Sequence, residues 1–402
     1  MNVSATISWS MLWSAYNNAQ IDPFQGVGWG PGLVYAWQPW SGAFNVTPAV
    51  WAAAHTTQFV HPGWVMPWAA AGHLARGGSF VSYLSPDGAD FAVVLETAVA
   101  SCAHCAYASD TAASEAQPFV LRLGGGLQNR TSLGVWRSNS SVQFERLDDV
   151  AVGSDGRVAV TVQPGAIYTL ASAAGRQQRG APTAARPAAP FPACHSDDFD
   201  ETAIGAPGRY WADQCGSFEV APALGRAGRA LAQRVARRPG TNRWDANLAH
   251  PITVLGDALE AAPQRLSAKV LPLPPFHAPS DVVVEQVPDT SAAWAGICGR
   301  VSSTVYYRNI SAVCLRLVEG GWQLVENTTR ELGAGALPAP RNGSVPWRSL
   351  TLDFQSGQKV EAWVDDERLG AFAVGARSGM FGLASGWNEA QFDHVVMAPL
   401  TE

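Results

Sequence analysis

The spacing of apolar positions divides the chain into regions of different character. Residues 5–12 form a near-continuous apolar run, the pattern of a strand buried on both faces. A Gly-rich stretch follows, and Thr47-Pro48 then reads as a helix N-cap with Pro at the first helical position. Trp51, Ala54, His55 and Phe59 fall on one face of the helix predicted there, and Pro62-Gly63 stops it. A buried strand, a long loop and a helix make one β/α unit, which cannot fold alone.

From about residue 63 the period shortens to two. Segments 80–84 and 91–95 flank Asp87-Gly88, a hairpin signal, and further alternating segments at 118–123, 134–136, 158–162 and 167–170 surround a second turn at Asp155-Gly156. Short strands at this spacing predict a β-sandwich over 63–172. Residues 173–192 are rich in Ala, Pro and Arg without periodicity and read as a semi-rigid linker. Strand pairs resume at 312–318 with 322–326 and at 350–354 with 360–364, and segment 392–397 closes the chain. The stretch 193–402 therefore predicts a jelly-roll or lectin-type sandwich.

Composition narrows the class. The 402 residues suit two or three domains, and a 47% hydrophobic share excludes a mainly disordered chain. A net charge of −6 with 15% charged residues lacks the basic face of a nucleic-acid binder. No apolar run is long enough to span a membrane as a helix. The 39 Gly and 27 Pro fit many turns, and most of the 16 Trp are read as core, with stacking on sugar rings as a second use.

The residues from Met1 carry no signal-peptide pattern. Asn-x-Ser/Thr sequons nevertheless stand at Asn2, Asn45, Asn129, Asn139, Asn309, Asn327 and Asn342, which together indicate the secretory pathway. A secretory body without a leader predicts an incomplete N-terminus. The lone Cys102-x-x-Cys105 is no zinc pattern; Cys298 with Cys314, and Cys194 with Cys215, are read as disulfide candidates.

Several collinear stretches together resemble the galactosylceramidase family of glycoside hydrolases. They include Thr6-Ile7-Ser8-Trp9, Gln38-Pro39-Trp40-Ser41-Gly42, the run from Val50 through His55-Thr56-Thr57-Gln58-Phe59 to Trp64, Arg76-Gly77-Gly78-Ser79, Asp197-Asp198-Phe199 and Ala390-Gln391-Phe392-Asp393. The resemblance implies a mainly β chain: the last β/α unit of a TIM barrel over 1–62, a β-sandwich and a lectin-like domain. It also implies retaining hydrolysis of a β-galactosyl lipid, by two glutamates held on barrel strands that would precede residue 1. Such chemistry needs two carboxyls about 5 Å apart. The 402 residues are thus expected to be inactive alone.

By the same resemblance Trp9, Phe24 and Trp244 border the sugar, with Phe24 where the family has a tyrosine and Tyr107 where it has an arginine. Cys105 matches a family cysteine whose partner lies in the earlier barrel. Asp197, Asp198 and Asp393 are expected to hold one structural Ca²⁺ through hard carboxylate oxygens. A galactolipid substrate, a saposin-type lipid-presenting partner, no nucleic acid, and a lysosomal or secreted location complete the expectation. The competing reading is a non-catalytic carbohydrate-binding or accessory protein.

Overall fold

A computed structural model describes residues 11–14, 33–67, 71–97, 115–172, 186–236, 250–257, 260–273, 293–303, 311–327, 329–337 and 347–400. The protein is mainly β and divides into two compact units. The first comprises Met1–Trp13, Trp29–Tyr35 and Asn45–Ala185, and the second Ser14–Gly28, Ala36–Phe44 and Arg186–Glu402.

The first unit opens with a three-stranded sheet of β1 (Leu12–Ser14), β2 (Val34–Ala36) and β3 (Asn45–Val46), in that order. The apolar run at 5–12 was expected to be buried on both faces, and its described end is not. Met11 is 71% and Leu12 54% exposed, because β1 lies at the sheet edge. Helix α1 (Pro48–Thr57) starts where Thr47-Pro48 predicts. The Thr47 hydroxyl, however, donates to the Leu33 carbonyl at 3.0 Å instead of accepting from the helix N–H groups.

The sandwich strands are β4 (Ala71–His73), β5 (Ser79–Leu84), β6 (Phe91–Glu96), β7 (Gln117–Arg122), β8 (Ser132–Ser138), β9 (Glu145–Ala151), β10 (Arg157–Val162) and β11 (Ile167–Ala171). Six of them form an antiparallel sheet in the order β4-β5-β6-β11-β8-β9, and β7 pairs with β10. The β5–β6 hairpin turns at Asp87-Gly88: the Asp87 carboxylate accepts from Ala89 N–H at 3.1 Å while Gly88 takes φ 69°. Strand β6 shows why the two-residue period is so clean. Phe91, Val93 and Leu95 enter the sandwich core with Phe119, Val158 and Leu170. Ala92 enters the opposite layer with Trp136 and Phe144, where α1 inserts Ala54 and the turn that follows the helix inserts Phe59. Alternate side chains point to opposite faces, and here both faces are covered. Helix α1 is thus one of the layers of the sandwich unit.

The second unit contains β12 (His195–Asp197), β13 (Ala212–Cys215), β14 (Phe218–Pro222), β15 (Arg229–Gln233), β16 (Ile252–Leu255), β17 (Gln264–Pro272), β18 (Ala295–Ser303), β19 (Ser311–Val318) and β20 (Gly321–Glu326). It continues with β21 (Arg330–Ala336), β22 (Arg348–Gln355), β23 (Lys359–Val364), β24 (Glu367–Ala373), β25 (Met380–Ser385) and β26 (Ala390–Pro399). One sheet runs β14-β15-β26-β17-β22-β23-β24 with β12 also on β26; the other runs β13-β16-β25-β18-β19-β20-β21. A shared apolar layer holding Phe199, Val270, Leu315, Phe354, Phe381 and Phe392 fills the space between them.

The stretch read as a linker ends inside this unit. Phe191 is buried in the shared layer, Trp40 meets it edge-on at 5.4 Å, and the Trp40 indole N–H donates to the Ala189 carbonyl at 2.8 Å. Cys298 and Cys314 stand directly opposite on β18 and β19 and are joined by a disulfide. No disulfide joins Cys194 to Cys215. Cys194 is exposed just ahead of β12 in one sheet, whereas Cys215 is buried at the end of β13 in the other.

Candidate functional site

Strand β26 organises the described site. Its residues Ala390, Gln391 and Phe392 pair with β15, and Val395, Val396 and Met397 pair with β12 along the same edge. Asp393 and His394 lie where the ladder changes partner, at a register shift against β17, and His394 takes φ 46°. The loop after β12 is clasped to the start of β15. Asp200 accepts from Arg229 N–H at 2.7 Å, and the Arg229 guanidinium donates to the carbonyls of Asp200 and Thr202, both at 2.7 Å. Gly228 permits this approach, with φ 93° and room for a Cβ only 2.8 Å from the Asp200 carboxylate.

A cavity of about 510 Å³ opens beside this junction, lined among others by His195, Asp197, Asp198, Glu201, Arg209, Tyr210 and His394. Tyr210 packs against the rings of Phe191 and His195, and Arg209 lies 4.7 Å over its ring while donating to its hydroxyl at 2.8 Å. Burial raises the Asp197 carboxyl above its ordinary range, opposed by the hydrogen bond from Phe199 N–H and reinforced by the carboxylates of Asp198 and Asp393. Burial lowers the His195 imidazole, with Arg209 acting in the same direction and Asp197 against it. The Nε2 atom of His195 is buried with no hydrogen-bond partner. Carboxylates that accept, a guanidinium that donates and two imidazoles suit a ligand bearing several hydroxyl groups.

The three aspartates read as calcium ligands are brought to this junction, yet they do not fit a metal ion. Asp197 accepts from Phe199 N–H at 2.8 Å and Asp198 from Asp200 N–H at 3.2 Å, each closing its own turn. Asp393 is fully buried and paired with the guanidinium of Arg226. Among the described residues, no three His, Cys, Asp or Glu side chains are grouped to hold a metal.

Trp9, Phe24 and Trp244 lie outside the described residues, as do Cys102, Cys105, Tyr107, Asn2, Asn309 and Asn342. Of the remaining sequons, Asn45, Asn129 and Asn327 are exposed, and Asn139 is half-buried with its side-chain oxygen accepting from Ser141 and Val142 N–H. Sequence reasoning did not single out His195, Glu201, Arg209, Tyr210 or Arg226. They belong to turns and strand ends whose meeting depends on the partner change along β26, which no local pattern announces.

Residues 68–177 match the glycosyl hydrolase family 59 central domain. The chain is 28% identical to the galactocerebrosidase of Homo sapiens over 63% of this chain and 37% of that protein. It is 31% identical to the galactocerebrosidase of Salmo salar over 63% of this chain and 38% of that protein. The chain thus spans under two fifths of the length of these relatives. Among solved structures, a carbohydrate-binding module from Bacillus subtilis aligns over 47% of this chain and 95% of its own, at TM-score 0.30 and 11% identity.

Proposed function

From the chain's membership of the galactosylceramidase family, through its C-terminal portion, we propose that it serves the hydrolysis of galactosylceramide and related galactolipids to galactose and ceramide. The observation that carries this reading is the match of residues 68–177 to a glycosidase-family domain, combined with the curated relatives across 63% of the chain.

In this reading the chain supplies sugar-facing β modules, and the paired carboxyls are contributed by sequence outside the 402 residues. Trp9 and Trp244 stack on apolar sugar faces, since indole rings suit the C–H surfaces of a galactosyl ring. Retention of configuration, a lysosomal or secreted location and a saposin-type lipid-presenting partner belong to the same proposal. No helix among the described residues is long and apolar enough to cross a membrane.

The test compares two polypeptides from one gene, the 402-residue chain and a longer form extended upstream, on a fluorogenic β-galactoside and on galactosylceramide in detergent. The short chain is expected to show no turnover and the extended one to release galactose. Turnover by the short chain would overturn the placement of the carboxyl pair, and an inactive, folded extended form would overturn the substrate assignment.

The cavity beside β26 favours a second reading, a non-catalytic carbohydrate-binding role. Calorimetric titration of the full chain with galactose-terminated oligosaccharides separates the two. Binding that Arg209→Ala abolishes would favour this reading, and no heat would remove it.

A further inference from the structure

The junction on β26 needs a positive charge. Asp393 has no accessible surface, and it sits on β26 at the point where β15 ends its pairing and β12 begins. A buried carboxylate without a counter-charge is strongly destabilising. The resemblance implies that a calcium ion meets this need, but the side chains around Asp393 are arranged for another solution.

Arg226 sits in the turn between β14 and β15 and is only 23% exposed. Its guanidinium pairs with Asp393 Oδ2, an ion-pair contact without a well-directed hydrogen bond. Its Nη2 lies 3.2 Å from His394 Nδ1, which is itself 3.1 Å from Asp393 Oδ1. The guanidinium also stands 5.2 Å over the ring of Trp347, and the Trp347 indole N–H donates to the Leu224 carbonyl at 2.8 Å. The turn that carries Arg226 is fixed a second time by Gln391, which accepts from Leu224 N–H at 2.8 Å and donates to the Pro222 carbonyl at 3.0 Å. Gln391 and Asp393 belong to the same strand, so β26 holds both the carboxylate and the loop that brings its cation.

We propose that in this chain the Arg226 guanidinium replaces the bound cation, and that the junction of β12, β15 and β26 closes without a metal. A guanidinium and a calcium ion compete for the same carboxylate. An incoming ion would have to expel Arg226 from its contact with Asp393 and from the face of Trp347, against the repulsion of two like charges.

The experiment is a set of thermal melts of the full chain, wild type and Arg226→Ala, each in calcium chloride and in chelator. The wild-type melting temperature is expected to be the same in both buffers. Arg226→Ala is expected to melt on the order of 10 °C lower, as removal of one partner of a buried pair would give for a domain of this size. A wild-type melting temperature that falls on chelation would overturn the proposal, and so would an Arg226→Ala protein that melts with the wild type. Should the variant fail to fold, calorimetric titration of calcium chloride into the wild type decides: stoichiometric binding overturns the proposal and absence of binding supports it.

Discussion

His55 carries its proton on Nδ1, and the hydrogen bonds around it require this. The Thr169 hydroxyl donates its only hydrogen to the His55 carbonyl at 2.8 Å, so it can only accept from Nδ1 at 2.8 Å. Ser138 Oγ accepts from Phe144 N–H at 2.8 Å, which leaves its hydrogen for Nε2, also at 2.8 Å. The neutral ring is fully satisfied and fully buried, and burial lowers its pKa to about 4. His250, buried against Trp294 and near Arg316, is lowered to about 3, chiefly by desolvation and then by the Arg316 charge. Both folded values lie below the unfolded one, so the unfolded chain binds more protons as pH falls from about 6.5 toward these values. Stability present at neutral pH is therefore lost with acidification through that window, by about 2 kcal/mol for His55 near pH 5. Denaturant melts of wild type and His55→Gln should show it: the variant is less stable at neutral pH but loses less between pH 7 and pH 5. Equal pH slopes would refute the assignment of this slope to His55. The sequence placed His55 on one face with Trp51, Ala54 and Phe59, which was legible from a period of 3.6. Its two hydroxyl partners, 83 and 114 residues away, were not, because the helix pattern says nothing about which sheet covers it.

At the scale of elements, the two-residue alternation and the Gly-containing turns were the most legible features. The hairpin at Asp87-Gly88 and the turn at Asp155-Gly156 depend on residues within a few positions of one another. Strand β26 shows the opposite limit, since its change of partner from β15 to β12 joins segments far apart in the chain. The cysteines fall on both sides of this line. Cys298 and Cys314 lie in neighbouring antiparallel strands with a sequence separation of 16, so pairing follows from local register. Cys194 and Cys215 are separated by a comparable length but enter different sheets. The observed bridge constrains the unfolded chain by about 3 kcal/mol on the chain-entropy account. The double substitution Cys298→Ala and Cys314→Ala should lower the melting temperature by about 6–12 °C in non-reducing buffer. The same scan of the wild type in strong reductant should approach the double variant; a reductant-insensitive melting temperature equal in all three would remove the bridge from the stability of this unit.

Over the whole molecule, contiguity in sequence and membership of a compact unit part company. The segment Ala36–Phe44 belongs with Arg186–Glu402, although α1 and the whole first sandwich intervene in the chain. Trp40 explains this assignment physically. It packs edge-on against Phe191, donates to the Ala189 carbonyl, and touches both apolar clusters of the second unit. A reading of composition alone placed residues 173–192 in a linker, because Pro and Ala density carries no information about a tryptophan almost 150 residues earlier. Trp40→Ala in the full chain should therefore destabilise the second unit by about 2 kcal/mol, less than a fully buried tryptophan because this one is half-buried. Hydrogen exchange can read the location as well as the size of the effect. Protection should fall in β12 and β26 of the second unit, while β6 and β11 of the first keep theirs. Loss confined to the first sandwich would show that residues 36–44 stabilise the unit that is their neighbour in sequence.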